Sequence, residues 1–215
     1  MRRLGFLAIF GAVLGLVPVF GASSRPRTVQ TLRSAIASGR VQAVILGTGA
    51  SSGDSVKLVV MRTAKAPAGV LVLTVAPGTM LHSTAVGYQN MMVAQVRGRY
   101  LGGRRYSPSS RIVVAGARPV TYILSAYCIN PERKDATPSV RFALAQTDPV
   151  LGCIAARGRG LSVPVMQTAV WRQTGGLEFE DVSRRLDVDE SDWGQALAVV
   201  GGCGRNGGGA RLRAY

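Results

Sequence analysis

Between residues 40 and 147 the chain reads as one strand after another, and this most restricts its possible folds. In "SVKLVVMRT", Val56, Leu58 and Val60 occupy alternate positions. "PVTYILSAYCIN" sets Tyr122, Leu124 and Ala126 on one face and Ile123, Ser125 and Tyr127 on the other. A period of two is the signature of a strand with one face turned to a core. "RVQAVILG", "GVLVLTVAPGT", "MMVAQVRGRYL", "SRIVVAG" and "VRFALAQ" complete the set, separated by Gly-, Pro- and Ser-rich turns. "TGASSGD" joins "RVQAVILG" to "SVKLVVMRT" as a hairpin loop. So much alternation needs a second layer to bury its apolar faces. The expected fold is therefore a β-rich α+β domain: a β-sandwich-like body of about seven strands, with a few short helices at its C-terminal end.

The helical part begins after Pro149. "PVLGCIAARG" and "SVPVMQTAVWRQT" read as helices, and so does "SDWGQALAVVGG", with Trp193, Leu197 and Val200 at helical spacing and glycines to stop it. "TLRSAIASG" predicts one or two further helical turns ahead of the strands. One globular domain is expected over 31–203, divided into a β body (31–147) and a helical part (148–203). Outside it, "MRR", an apolar run and the small residues "GASS" have the three-part layout of a secretory signal peptide, with cleavage near Gly21. Residues 22–30 then read as a linker, and the glycine-rich 204–215 as a disordered tail. The expected location is secreted or extracytoplasmic in the cell envelope, with no membrane span once the signal is removed.

The formal charge is +15, carried almost wholly by arginine: 23 Arg against Lys57, Lys65 and Lys134. Seven of the eleven acids lie between Glu178 and Asp192, which leaves a basic body with one acidic segment. A basic exported body attracts polyanions of the envelope, and genomic nucleic acid is not an expected partner. The densest stretch is "RGRYLGGRRYSPSSR", where Arg97, Arg99, Arg104 and Arg105 interleave with Tyr100 and Tyr106. Cations among aromatics suit phosphate or sulfate polymers and stacking on rings. The same composition also suits a solvated hairpin of an arginine-rich protein.

Turnover chemistry finds little here. His82 is the only histidine, at a strand end with no nucleophile motif near it, so His-pair metal sites are excluded. "DVDESD" opens like a calcium loop, but Asp192 and Ala198 stand where Gly and Glu are required. Its acids suit a helix N-terminus instead. "GTGASSGD" has the wrong spacing for a dinucleotide fingerprint and leads into a strand. No enzyme, metal or cofactor is expected.

One residue is out of place. "LSVPVMQTAVW" predicts a helix capped by Ser162 with Pro164 in its first turn. Val163, Gln167, Val170 and Trp171 fall on its apolar face, with Met166 at the edge. An amide turned inward without partners costs roughly 1–3 kcal/mol, so something must meet Gln167. Cys128, at the end of the strand "PVTYILSAYCIN", could be brought to it.

The two blocks together, Tyr127-Cys128-Ile129-Asn130 followed by Gln167-Thr168-Ala169-Val170-Trp171, resemble the bacterial thioester domains of Gram-positive surface proteins. The resemblance covers about ten residues in the C-terminal half, and 39 positions separate Cys128 from Gln167. It implies that the Cys128 thiol and the Gln167 carboxamide condense into an internal thioester that captures amines on a target surface. Tyr127 and Trp171 would flank the bond, and the helix N-terminus would lower the thiol's pKa. Two other readings stay open. Three cysteines in an exported protein allow a Cys128–Cys153 disulfide, with Gln167 a structural hydrogen-bonder in a non-catalytic domain. Alternatively, the basic hairpin binds an envelope polyanion.

Overall fold

The computed structural model describes residues 27–103 and 105–204. The expected signal peptide, the first part of the linker and residues 205–215 of the expected disordered tail lie outside the described residues, while Gly204, the first residue of that tail, is helical. The rest of the linker is structured: Arg27–Thr31 forms strand β1, followed by helix α1 (Leu32–Ala37), which Thr31 caps by accepting from Ser34 N–H at 3.1 Å.

The main sheet closes on itself. Strands β2 (Val41–Gly47), β3 (Ser52–Arg62), β5 (Thr79–Ser83), β6 (Met91–Gly102), β9 (Val120–Cys128) and β10 (Arg141–Thr147) follow the order β5-β10-β2-β3-β9-β6. Pairing of β5 with β6 joins the two ends. The body is thus a six-stranded antiparallel barrel, which corrects the expected sandwich. Period-two patterning is satisfied by either solution, because both bury one face of every strand. Which one forms depends on the pairing of β5, a five-residue strand that local pattern does not single out. Strand β7 (Arg105–Pro108) continues from β6 as a hairpin standing off the barrel. A small sheet of β1, β4 (Val70–Thr74) and β8 (Ile112–Val114) packs its Leu71, Leu73, Ile112 and Val114 into the same core as the barrel's Val56, Leu58, Val60 and Leu124.

The helices are α2 (Pro149–Arg157), α3 (Val163–Gly175), α4 (Phe179–Ser183) and α5 (Glu190–Gly204). Asp148 starts α2, accepting from Val150 and Leu151 N–H at 2.8 and 2.9 Å. A second core forms where α2, α3 and α5 meet the outer face of the barrel, around Met80, Met92, Tyr127 and Ile129. Cys153 on α2 is bonded to Cys203 on α5. The expected alternative, Cys128–Cys153, is therefore not formed, and Cys128 is a buried free thiol. The physical reason is register: Cys128 belongs to the barrel-side core, whereas Cys153 packs with the helices.

Candidate functional site: Cys128 and Gln167

Strand β9 is central in the barrel and buried from Tyr122 to Cys128. Its alternation is as the sequence reads. Tyr122, Leu124, Ala126 and Cys128 face the barrel-side core, and Tyr127 faces the helices. Past Cys128 the chain is pinned by three contacts. Ile129 N–H donates to Asn90 O at 3.1 Å, Asn90 N–H donates to Asn130 Oδ1 at 3.2 Å, and Thr174 Oγ1 donates to Ile129 O at 3.0 Å.

Helix α3 lies across this strand end. Ser162 Oγ accepts from Val165 N–H at 3.3 Å, Pro164 occupies the first turn, and Gly176 closes the helix with φ 65°. Flanked by β9, β3, α2 and α5, the helix is buried on every side from Val165 to Trp171. Val163 departs from the expected inward stripe and is 41% exposed. It stands at the helix entrance, where a Cβ on Gly53 would lie 3.3 Å from its side chain.

Gln167 has no measurable exposure. Its Oε1 accepts from Cys128 N–H at 3.0 Å, and its Nε2 donates to Cys128 O at 2.7 Å. The carboxamide thus pairs with the end of β9 as a neighbouring strand's peptide group would. Cys128 N–H is shared with Ser51 O at 3.2 Å, so the loop between β2 and β3 meets the same point. The amide carbon is held between two bonded atoms, against the residue that carries the free thiol.

The sulfur's surroundings run against one expectation. The Cys128 pKa is pushed up to about 11, chiefly by burial. The Asn130 backbone N–H and the Trp171 indole oppose this, while Asp135 and Glu132 add slightly to the rise. The rise is opposite in direction to the lowering expected from the helix N-terminus. Trp171 lies in the same core as Cys128, and its Nε1–H makes no conventional hydrogen bond. Tyr127, expected to flank the sulfur, points to the opposite face of β9, where burial raises its pKa despite a side-chain bond to Ser125.

The described arginines of the expected basic cluster make separate contacts. Arg97 Nε pairs with Asp54 at 3.1 Å, and its guanidinium donates to Tyr106 Oη at 2.7 Å while lying 5.5 Å from that ring's centre. Arg99, in register with Tyr122, lines a separate cavity with Val113 and Arg118. A register irregularity between Val96 and Gly98 lets Arg97 and Arg99 serve different surfaces. Arg105 is exposed on β7, and Arg104 lies outside the described residues. Among the described residues no three His, Cys, Asp or Glu side chains gather as a metal site, and no helix is long and apolar enough to cross a membrane.

Sequence reasoning missed Ser51, whose carbonyl shares the Cys128 N–H, and the Asn130 backbone N–H as a partner of the sulfur. Backbone groups carry no residue-type signal, although Asn130 stands inside the block that drew notice. Comparison with protein-family models, curated proteins and solved structures finds no match to this chain.

Proposed function

We propose that this protein is an exported surface-binding module that captures amines covalently through a thioester between Cys128 and Gln167. The observation that supports it best is the Gln167 carboxamide clamped on both sides by the backbone of Cys128, beside a free, buried thiol. The resemblance of the two sequence blocks to thioester domains points the same way.

The chemistry follows from the contacts. The ionised sulfur attacks the Gln167 amide carbon. Negative charge builds on Oε1, where Cys128 N–H is already placed at 3.0 Å. The C–N bond breaks, ammonia leaves with the proton that the thiol gave up, and a thioester remains. An incoming amine later attacks the same carbon. Its nitrogen becomes the new amide, and the sulfur departs with the amine's proton. The Asn130 and Trp171 N–H groups are the donors that would meet the departing sulfur. A thiol with a pKa near 11 is a poor leaving group, so the thioester would persist in water until a good nucleophile is held against it. This is a single capture event rather than turnover. The Cys153–Cys203 disulfide is compatible with an oxidising compartment and with export.

A second reading has one observation in its favour. With one good hydrogen bond at each end of its carboxamide, Gln167 already serves as a structural latch between α3 and β9, and a raised thiol pKa slows attack. The domain would then be a non-catalytic envelope protein. The intact mass of non-reduced protein separates the two. The thioester reading expects a chain lighter by one ammonia in addition to the two hydrogens of the disulfide. Methylamine should then add once, at Gln167, and Cys128→Ala should abolish both changes. A chain that keeps its ammonia refutes the thioester and leaves the latch.

A further inference from the structure

The hairpin that carries the interleaved arginines and tyrosines is not absorbed by the thioester reading, yet it builds a cavity. Gly98 makes this possible. A Cβ there would stand 2.1 Å from Ser107 O, so only glycine lets β7 come so close to β6. Tyr100 and Tyr106 then face each other in register across the hairpin. Opposite them lie Lys57 on β3 and its register partner Ile123 on β9. Between the hairpin and the β2–β3 loop is a cavity of ≈ 510 Å³, whose rim includes Thr48, Gly49 and Asp54. This is within the range of small-ligand sites, roughly 300–1,000 Å³.

The charges in it are not equivalent. Asp54 is matched by Arg97. Lys57 Nζ lies 5.0 Å from the centre of the Tyr100 ring, and among the described residues it has no carboxylate partner. The cavity therefore carries one uncompensated, half-buried ammonium against the Tyr100 ring, with Tyr106 also in the lining. That combination reads a flat or ring-shaped ligand with a single anionic group: the ring lies along the tyrosines and the anion meets the ammonium. Tyr106 Oη accepts from Arg97 and keeps its own proton to donate, and Thr48 Oγ1, which donates to Asp54 O, keeps a lone pair, so both can still meet a hydroxylated ring.

We propose that this cavity is a non-covalent binding site for an acidic saccharide unit, a sugar ring bearing a carboxylate, phosphate or sulfate, with Lys57 as the anion contact and Tyr100 and Tyr106 as the stacking surface. The site does not depend on the thioester. It connects to it, because Ser51, one residue beyond the rim residue Ala50, bonds Cys128 N–H. A glycan anchored here would hold its carrier beside that loop.

Calorimetric titration of the full chain with a glucuronate-containing disaccharide, a sulfated disaccharide and uncharged maltose tests the site. At least one acidic disaccharide should bind and maltose should bind at least about tenfold more weakly, the scale of one charge-assisted contact. Lys57→Gln should remove that preference, and Tyr106→Ala should weaken every saccharide that binds. Arg105→Ser, on the same hairpin and outside the cavity lining, should change affinity by less than about twofold at physiological salt, where exposed charge is screened. No binding of either acidic disaccharide, equal binding of maltose, or an unchanged Lys57→Gln preference would each overturn the proposal. Because Lys57→Gln keeps Cys128 and Gln167, its methylamine uptake reports separately on the thioester.

Discussion

Gln167 gives both of its hydrogen-bonding ends to a single residue, and that residue's backbone has few substitutes for them. In Gln167→Ala the Cys128 N–H keeps Ser51 O, but the Cys128 carbonyl loses its Gln167 donor in a dry core. The expected loss is about 1–3 kcal/mol from the unmet carbonyl alone, with lost packing added to it. Urea denaturation of the variant measures it; an unchanged midpoint would mean that the pair carries no stability. Cys128 makes a sharper prediction. Its folded pKa of about 11 lies above the ordinary 9.0, so between those pH values the native thiol holds a proton that the unfolded chain has released. Stability must then fall as pH rises from about 9 to about 11, by roughly 3 kcal/mol in total. Tyr127, also raised, contributes in the same direction. Comparison with Cys128→Ala isolates the thiol, since Tyr127 is common to both. Protein holding a thioester should lack the thiol contribution and regain it after methylamine treatment.

At the scale of elements, α3 is placed by its neighbours more than by its own pattern. Its central turns have no polar face, because α2, α5 and the barrel close around them. The disulfide ties α2 to α5 across 50 positions, restricting the unfolded chain. Reduction, or Cys203→Ser with Cys153→Ser, should cost roughly 2–4 kcal/mol. Hydrogen exchange should rise first in α5, while the proposed ammonia loss at Cys128 and Gln167 should stay as in the parent chain. If breaking the bond also abolished the ammonia loss, the helical layer would be needed to position Gln167 rather than merely to stabilise it. The start of α2 offers a smaller test. Asp148→Ala removes two capping bonds and should lower stability by about 1 kcal/mol.

Over the whole molecule, the two proposed sites lie on two surfaces of one barrel that β9 and the β2–β3 loop connect. Closure by the short β5–β6 pairing fixes where β9 ends, and so where Cys128 lies beneath α3. The hairpin at the other side depends on Gly98. Gly98→Ala should force β7 away from β6, costing roughly 1–3 kcal/mol if the barrel shifts to accommodate it. Should the hairpin alone yield, stability would change little and the cavity would open. Denaturation midpoint and saccharide binding, measured together, distinguish these outcomes.

The local features were legible in the sequence because they follow from neighbouring residues. Alternation identified β9 and its two faces. Ser162 and Pro164 set the start of α3. The inward position of Gln167 followed from helical spacing. Strands β1 and β5 were not legible: "RTVQT" is largely polar, and "TMLHS" is too short to show a period. Tertiary structure alone decided the rest. It closed a barrel where alternation also allowed a sandwich, and it paired Cys153 with Cys203 rather than with the cysteine nearer in sequence. It also turned Tyr127 away from the sulfur and raised the Cys128 pKa instead of lowering it. Each of these depends on which distant segments exclude water from a residue or bring a partner to it, and burial and register across the sheet are properties of the assembled chain that no local stretch contains.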